Sequence, residues 1–546
     1  MRPEVSDPAD EHVLPPNGAV VTSTVPLTAT RRPTSMLMLR SVVFVGGTSS
    51  LAAEMCASRL LEPYFGTSLF VWANIIGLIL IYLSIGYYLG GRIADRYPLA
   101  RHLYTLTAIA AAALMVIPFI ARPILLLSLN AFADYSVGSF LGSLLGTILL
   151  FAVPITLLGC VAPFAIRLAV RDVQRAGNVS GSLYALSTVG SIVGTFLSVL
   201  VMIPTIGTAR TLIVFGLVLF VTSVIGLGKR VLWLSAALGI ALLILPPAPI
   251  KPDPGMIAER ESPYNYIQVI QQNGVRELLL NEGVAIHSIY NPAAANDPNP
   301  IAHLTRAYWD YVLVAPFYNL NHAVNTIRHT AIIGMGAGTM AKELTYFYGP
   351  VPIDGVEIDP DIIQLGRQYF GLNEPNVHAS TQDGRYYLRT TPKQFDLISV
   401  DAYQTPYIPF QMTTEEFFQE VRSHLTPDGS VVINVGRTPA DVRLVDVISR
   451  TMRAVFPAVY VITVPAPKDT LILNSLIVAN SKPASLDELR TRMQDLSNPV
   501  LRTLGMQAVQ NTAIVGPSSG LVFTDDHAPV EQVVDNMIIH YLRTGQ

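Results

Sequence analysis

The chain has 546 residues, 51% of them hydrophobic and 14% charged, with a net charge of −3. Soluble domains average about 25% charged residues, so an ordinary cytosolic enzyme is excluded. A disordered chain is excluded as well, because that needs low hydrophobicity and high net charge. The charge is unevenly spread: residues 41–246 carry 16 charged residues in 206 positions and residues 247–546 carry 51 in 300. A membrane half is therefore expected before a half that can live in water. Even the second half stays below the soluble average, as expected of a domain that rests part of its surface on its own membrane half. Basic runs occur only beside apolar segments, so nucleic acid is not an expected partner. Cys56 and Cys160 fall inside apolar segments, with no disulfide framework and no metal-ligand spacing, and no metal is expected.

Residues 1–40 are rich in Pro, Thr, Ser and Ala without apolar periodicity and read as a disordered tail. About 20 apolar residues cross a bilayer, which gives seven candidate spans near 41–61, 69–90, 103–121, 139–161, 183–204, 211–227 and 231–246. Eleven Lys/Arg residues (Arg31, Arg32, Arg40, Arg92, Arg96, Arg101, Arg167, Arg171, Arg175, Lys229 and Arg230) would fall on one side, against Arg122 and Arg210 on the other. That bias makes the N-terminus cytoplasmic in a multi-pass cell-membrane protein. Glu54 and Arg59 lie in or at the end of the first span, where Arg59 can reach the interface and Glu54 can pair with it or with another span. Gly190-Ser-Ile-Val-Gly194 fits the small-xxx-small pattern of close helix packing.

Residues 247–262, opening on Pro246-Pro247-Ala248-Pro249, read as a linker. Period-two alternation through Tyr264, Tyr266, Gln268 and Ile270 ends at Asn273-Gly274, a strong hairpin signal. Strands over Val275–Leu280 and Val284–Tyr290 complete a small antiparallel β-sheet subdomain at 263–325. From 326 to 546 the pattern is β/α. Strand Thr330–Ile333 runs into Gly334-Met-Gly336-Ala337-Gly338, then a helix over Thr339–Phe347, then strand Pro352–Ile358 with Glu357 at its end, 19 residues after Gly338. Glycines that let backbone approach a ligand, followed by an acid at ribose distance, point to a nucleoside cofactor. Further strands are expected at Asn376–Ala379, Phe395–Val400, Ser430–Val435, Val459–Val464 and Leu476–Ala479, with helices near 361–370, 414–426 and 439–455. Asp383 and Asp401 fall at carboxyl ends of strands, where ligands bind in such sheets, although each could instead cap a turn or helix.

With these residues in view, the stretch from about 262 to 480 resembles the spermidine synthase (polyamine aminopropyltransferase) family, and the whole chain resembles its membrane-fused bacterial members. The resemblance rests on Glu261-Ser-Pro-Tyr264, Asn281-Glu-Gly283, Tyr308-Trp-Asp310, Gly334–Gly338, Val356-Glu-Ile-Asp359, Gln382-Asp-Gly384, Ser399-Val-Asp401 and the tail Thr524-Asp-Asp-His-Ala-Pro-Val-Glu531. It implies a multi-span α-helical membrane domain joined to an α/β class I methyltransferase-like (Rossmann-like) domain behind a small antiparallel sheet.

The resemblance further implies decarboxylated S-adenosylmethionine as donor and a small-molecule amine as acceptor. Gly334, Gly336, Gly338, Glu357, Asp383 and Gly384 would hold the donor, with Glu357 on the ribose and Asp383 near the adenine. Asp401 would be the base that takes the amine's proton and Tyr308 would orient that amine, with Asp310, Tyr403 and Gln404 on the acceptor's side. Three positions depart from the family pattern. Ala337 stands where an Asp normally binds the donor's ammonium, Gln404 where a second carboxylate follows the base, and Val314 where a His follows the Tyr. The alternatives are methyl transfer from S-adenosylmethionine and a non-catalytic nucleoside- or polyamine-sensing or transport protein. Seven spans place the catalytic half outside the cytoplasm, whereas a donor made in the cytosol favours the inside. The sequence leaves that side open, together with the acceptor and the oligomer, a homodimer among the options.

Overall fold

The computed structural model describes residues 35–66, 68–132, 138–228, 233–244, 248–283, 285–403, 407–465, 473–517 and 519–544. Most of the proposed tail, Lys229, Arg230, Val284 and Gln404 lie outside the described residues. The N-terminal half is helical: α1 (Met36–Phe65), α2 (Leu69–Arg96), α3 (Ala100–Ala131), α4 (Gly138–Gly159), α5 (Val161–Ala169), α6 (Ala176–Leu197), α7 (Ile203–Leu227) and α8 (Trp233–Ile244). Helix α1 begins before residue 40, inside the stretch read as tail.

Among the described residues, five helical segments are long and apolar enough to cross a membrane, the last running from Val173 to Leu227. That last segment folds back on itself. Ser187 meets Gly47, and Ser49 Oγ donates to the carbonyl of Phe215, so residues 28 apart touch the same turn of α1. A straight helix would separate them by about 42 Å. The reversal falls at Gly207, whose φ of 81° ends one helical run and starts the next. Gly190 and Gly194 face the carbonyls of Phe44 and Thr48 so closely that no Cβ would fit at either, and the small-residue spacing sets this contact.

The bundle has two chemically different ends. A core of Leu39, Val42, Ala94, Leu103, Phe164, Ala169 and Leu183 collects the start of α1, the end of α2, the start of α3, α5 and the start of α6 at one end. Arg40, Arg92, Arg96, Arg101, Arg167, Arg171 and Arg175 lie at or beside it. The C-terminal half docks on the other end. There Tyr64 donates its hydroxyl to the carbonyl of Ile250 at 2.6 Å, the Thr208 amide donates to Glu261 at 2.9 Å, and Arg59 donates to the carbonyl of Pro263. Arg59 also pairs with Glu62 at 3.1 Å. Its carboxylate partner is thus Glu62, one turn on, and not Glu54.

The second half opens with an antiparallel sheet of β1 (Met256–Glu261), β2 (Tyr266–Gln272), β3 (Val275–Leu280) and β4 (Ile286–Tyr290), in that order. Strand β1 lies within the stretch read as linker. Asn273 and Gly274 both take positive φ, as a two-residue hairpin turn requires. After the short α9 (Tyr308–Val312) come β5 (Thr330–Ile333), α10 (Thr339–Tyr348), β6 (Ile353–Glu357), α11 (Pro360–Tyr369), β7 (Val377–Thr381), α12 (Gly384–Thr390), β8 (Phe395–Val400), α13 (Glu415–Ser423), β9 (Leu425–Arg437), α14 (Arg443–Val455), β10 (Ala458–Thr463) and β11 (Leu473–Asn480). The chain closes with α15 (Leu486–Gln494), α16 (Pro499–Gln510), β12 (Thr512–Ile514) and α17 (Val530–Thr544).

These strands form one sheet in the order β12-β10-β11-β9-β8-β5-β6-β7, parallel from β9 to β7 and antiparallel beyond. Both faces are covered, which is why the strands are near-continuous apolar runs. Ile332, Leu397 and Val432 turn to α10, α15 and α16, while Ile333, Ile398 and Ile433 turn to α13, α14 and α17. The fold is a Rossmann-like α/β domain behind a small antiparallel sheet. Its strand order changes direction at β5, which places the crevice for a ligand at the carboxyl ends of β5 and β8.

Candidate active site

A cavity of about 850 Å³ opens at those strand ends, lined from both the main sheet and the small one. Gly334 and Gly336 line it in positive-φ conformations, at 83° and 59°. A Cβ on Gly334 would come within 2.5 Å of the Asp401 carbonyl, so only glycine lets β5 and β8 release their loops side by side. The Gly336 amide donates to Glu357 at 2.9 Å and the Asp359 amide to its other oxygen at 3.1 Å. The carboxylate at the end of β6 is thus fixed by backbone of the glycine loop. Burial pushes Glu357 up to about 7, against these two hydrogen bonds.

Gly338, at φ 98°, caps the start of α10 and packs on Leu372; it is not among the lining residues. Asp383 and Gly384 line the cavity. Asp383 also caps α12, accepting from the Tyr386 amide at 2.9 Å. Binding and capping are thus compatible, because one carboxylate oxygen serves the helix. Ala337 is fully buried with Ile267, Val269, Leu278, Ile362 and Leu365 between the small sheet and α11. Its amide donates to Ser288 on β4 at 2.9 Å. A side chain here meets core, which suits Ala.

At the end of β8, Asp401 accepts from the Tyr308 hydroxyl at 2.6 Å and from the Asn434 side-chain amide at 3.0 Å. Asn474 in turn donates to Asn434 at 2.9 Å. Burial pushes Asp401 up to about 6, opposed by the hydrogen bonds from Tyr308, Asn434 and Trp309. Tyr308 is pushed well upward by burial and by the facing carboxylate, so its phenol stays protonated. A buried carboxylate that titrates near neutrality, with its orientation fixed at both oxygens, is equipped for general base chemistry.

Three residues expected on the acceptor side separate. Tyr403 lines the cavity, but its hydroxyl donates to the Asn434 carbonyl at 3.0 Å and accepts from the Gly436 amide at 2.9 Å. It braces β9 against β8. Asp310 is not among the lining residues. Its carboxylate accepts from the Thr305 amide and hydroxyl at 2.8 and 2.7 Å and from the Arg306 amide at 2.9 Å. Burial pushes the neighbouring Glu343 carboxyl well upward, and the Asp310 charge beside it adds to the rise. Asp310 therefore holds the loop before α9 and does not face an acceptor. Gln404 lies outside the described residues.

Sequence reasoning missed Asn434, Asn474, Trp309, His287 and Glu531, all of which line the cavity. Asn434 had a signal: one polar residue in the run Val431-Val-Ile-Asn434-Val, where a buried strand should be apolar. Burial pushes His287, on the small sheet, down to about 4, so it lines the cavity uncharged.

Residues 319–488 match the Spermine/spermidine synthase domain family. The chain is 33% identical over 292 residues to a protein of Bifidobacterium longum described as a probable polyamine aminopropyl transferase, covering 50% of this chain and 61% of that protein. It is 27% identical over 401 residues to the polyamine aminopropyltransferase of Mycobacterium tuberculosis, covering 64% of this chain and 72% of that protein. The chain thus spans less than two thirds of the first relative's length. The crystal structure of spermidine synthase from Thermotoga maritima superposes with a TM-score of 0.36 at 17% identity, over 45% of this chain and 80% of that one.

Proposed function

We propose that the protein is a membrane-anchored transferase moving an aminopropyl group from a decarboxylated S-adenosylmethionine-type donor to an amine, a reading supported by the match of residues 319–488 to the Spermine/spermidine synthase domain family. The observation that carries this reading is that Asp401, locked between Tyr308 and Asn434, shares one cavity with Glu357 and the glycine loop. A base and a nucleoside cradle in one crevice fit group transfer from an adenosyl sulfonium.

The residues divide the work. Glu357, buried and anionic above about pH 7, receives the ribose hydroxyls, and Asp383, after β7 and two strands along from the glycine loop, faces the adenine. The sulfonium supplies an activated leaving group, so the protein needs to position and desolvate more than to polarise. As the acceptor nitrogen bonds to carbon and the carbon–sulfur bond breaks, Asp401 takes the proton that the nitrogen sheds. Tyr308 donates to Asp401 and keeps an oxygen lone pair with which to orient the attacking N–H.

The test uses the full chain in detergent, with decarboxylated S-adenosylmethionine and a panel of amines. Formation of the aminopropylated amine, lost in Asp401→Asn, supports the reading. A second reading, methyl transfer, comes from Ala337, where the sequence lacks the acid that the resemblance expects, although position 337 packs in the core and does not line the cavity. Methyl transfer from S-adenosylmethionine in the same assay would establish it instead. Nucleoside binding without turnover of any amine, unaffected by Asp401→Asn, would make the domain a sensor.

The same reading gives the chain a place in the membrane. Short-loop arginines mark the cytoplasmic side, and here they gather at the end of the bundle away from the docked domain. The catalytic domain then faces away from the cytoplasm and takes its donor on that side. A reporter fused after Gln546 should read external. An internal signal would overturn the orientation and leave the chemistry standing.

A further inference from the structure

Arg306 lines the cavity and is exposed, and its guanidinium makes no hydrogen bond, ion pair or ring contact among the described residues. Its backbone has φ 62°, a left-handed value that an L-residue adopts only at a cost. The buried Asp310 meets that cost. One of its oxygens accepts from the Arg306 amide at 2.9 Å, and the other accepts from the Thr305 amide at 2.8 Å. The loop that presents the guanidinium is thus held from inside the fold. The cavity is read as taking a sulfonium and an amine, and a free cation opposes both unless one substrate brings an anion. The planar fork of a guanidinium matches phosphate oxygens two at a time.

The same cavity lies against the helical bundle. Helix α1 has 30 residues, about 45 Å, which matches a bilayer with its headgroups and puts both helix ends at headgroup depth. Near its C-terminal end Arg59 donates to the Pro263 carbonyl, and Glu282 faces Gly66. Tyr264 and Asn265, next to Pro263, line the cavity, and so does Leu280, two residues before Glu282. Two residues span at most about 7 Å, so the cavity wall stands over the end of α1. Tyr264, Ile286, Ile358 and Phe410 line the cavity and are each more than a third exposed. Exposed apolar side chains gathered around one opening mark a contact surface, and here the surface beside them is the bilayer.

We propose that the acceptor is the primary amine of an ethanolamine phospholipid drawn from the adjacent leaflet, with its phosphate on Arg306 and its nitrogen at Tyr308 and Asp401. This rests on the membrane-anchored transferase reading above. Nitrogen and phosphate are close neighbours in that headgroup, and Arg306 stands two residues before Tyr308, which holds the base. The unprotonated nitrogen bonds to the donor's propyl carbon as the carbon–sulfur bond breaks. Sulfur keeps the electron pair and leaves as a neutral thioether, and the nitrogen's surplus proton passes to Asp401.

The full chain is reconstituted in phosphatidylcholine vesicles and given decarboxylated S-adenosylmethionine labelled in its aminopropyl group. Three amines are offered: phosphatidylethanolamine, hexadecylamine in the same vesicles, and water-soluble glycerophosphoethanolamine. Label should enter phosphatidylethanolamine in preference to both others. Arg306→Gln should lower the ratio of phosphatidylethanolamine to hexadecylamine kcat/KM roughly tenfold or more. Arg306→Lys should recover part of that ratio, and binding of the donor's thioether product checks that both variants are folded. An unchanged ratio in Arg306→Gln, or label in either other amine with none in phosphatidylethanolamine, overturns the proposal while the transferase reading stands. A wild type that labels none of the three, and no soluble diamine, overturns both.

Discussion

Tyr308 and Asp401 are joined by a 2.6 Å hydrogen bond in which the phenol donates to the carboxylate. Together with the Asn434 amide this bond favours the charged form, against burial, which raises the carboxyl to about 6. A base works only when unprotonated, so kcat at saturating amine should rise with pH through about 6 and level off above it. Asn434→Ala removes a donor to the charged form and should move this acid limb to higher pH. Asp401→Asn should lower kcat by about 10²–10⁴. Rate profiles between pH 5 and 9 check both, and an acid limb left in place by Asn434→Ala would argue that another group titrates.

Glu357 should govern nucleoside affinity independently of turnover. Its carboxylate is held by two backbone amides and keeps lone pairs for ribose hydroxyls. Losing bonds to a charged acceptor costs about 1.5–3 kcal/mol, so Glu357→Gln should weaken donor binding roughly 10- to 100-fold, while Asp401→Asn leaves it nearly unchanged. Burial raises Glu357 to about 7, and affinity should therefore increase as pH rises through 7. Isothermal titration with the donor's thioether product measures this without catalysis.

Much of this site was legible because it sits on period-two runs punctuated by glycine. The strand Thr330–Ile333, the loop Gly334–Gly338 and Glu357 fell where the pattern put them. What escaped were contacts made across long sequence separations. Asp310 reads as an active-site acid, but Thr305 and Arg306 take its oxygens. Glu531 reads as part of a tail motif, and only the Arg385–Asp525 pair shows why the tail reaches the cavity. The fold-back at Gly207 was likewise hidden, since one glycine in an apolar run carries no sign of its φ.

The contact between the two halves should depend on pH. Glu261 accepts from the Thr208 amide, and burial raises its carboxyl from about 4.5 to about 7. Glu282, which faces Gly66 at the end of α1, is raised to about 7 for the same reason. A folded-state value above the unfolded one means that the folded form holds the proton more tightly. The stability is then complete below about 4.5 and is lost as pH rises through 7. Melting temperatures in detergent should fall between pH 5 and 8, with a shallower fall in Glu261→Gln. Gly207→Ala should also weaken docking, because φ is 81° there and a Cβ would meet the Glu261 carboxylate at 2.8 Å. With ψ at 164°, this backbone lies in a region kept almost entirely to glycine, which alone costs an L-residue about 1–3 kcal/mol.

The Arg385 clamp should matter more to the amine than to the nucleoside. Its guanidinium, only 7% exposed, binds Glu420 at 2.9 Å and Asp525 at 2.7 Å. Asp525→Ala leaves Arg385 still paired with Glu420, so its cost should be modest, about 1–3 kcal/mol for the lost charged bonds. Arg385→Ala strands two carboxylates, one of them also served by Arg389, and should cost more, about 3–5 kcal/mol. Denaturant titration orders the two. Asp525 anchors the approach to α17 and its lining residue Glu531, so Asp525→Ala should raise the amine KM while the product-nucleoside Kd stays at its wild-type value. If instead the nucleoside Kd weakens and the amine KM does not, the tail supports the donor side of the cavity.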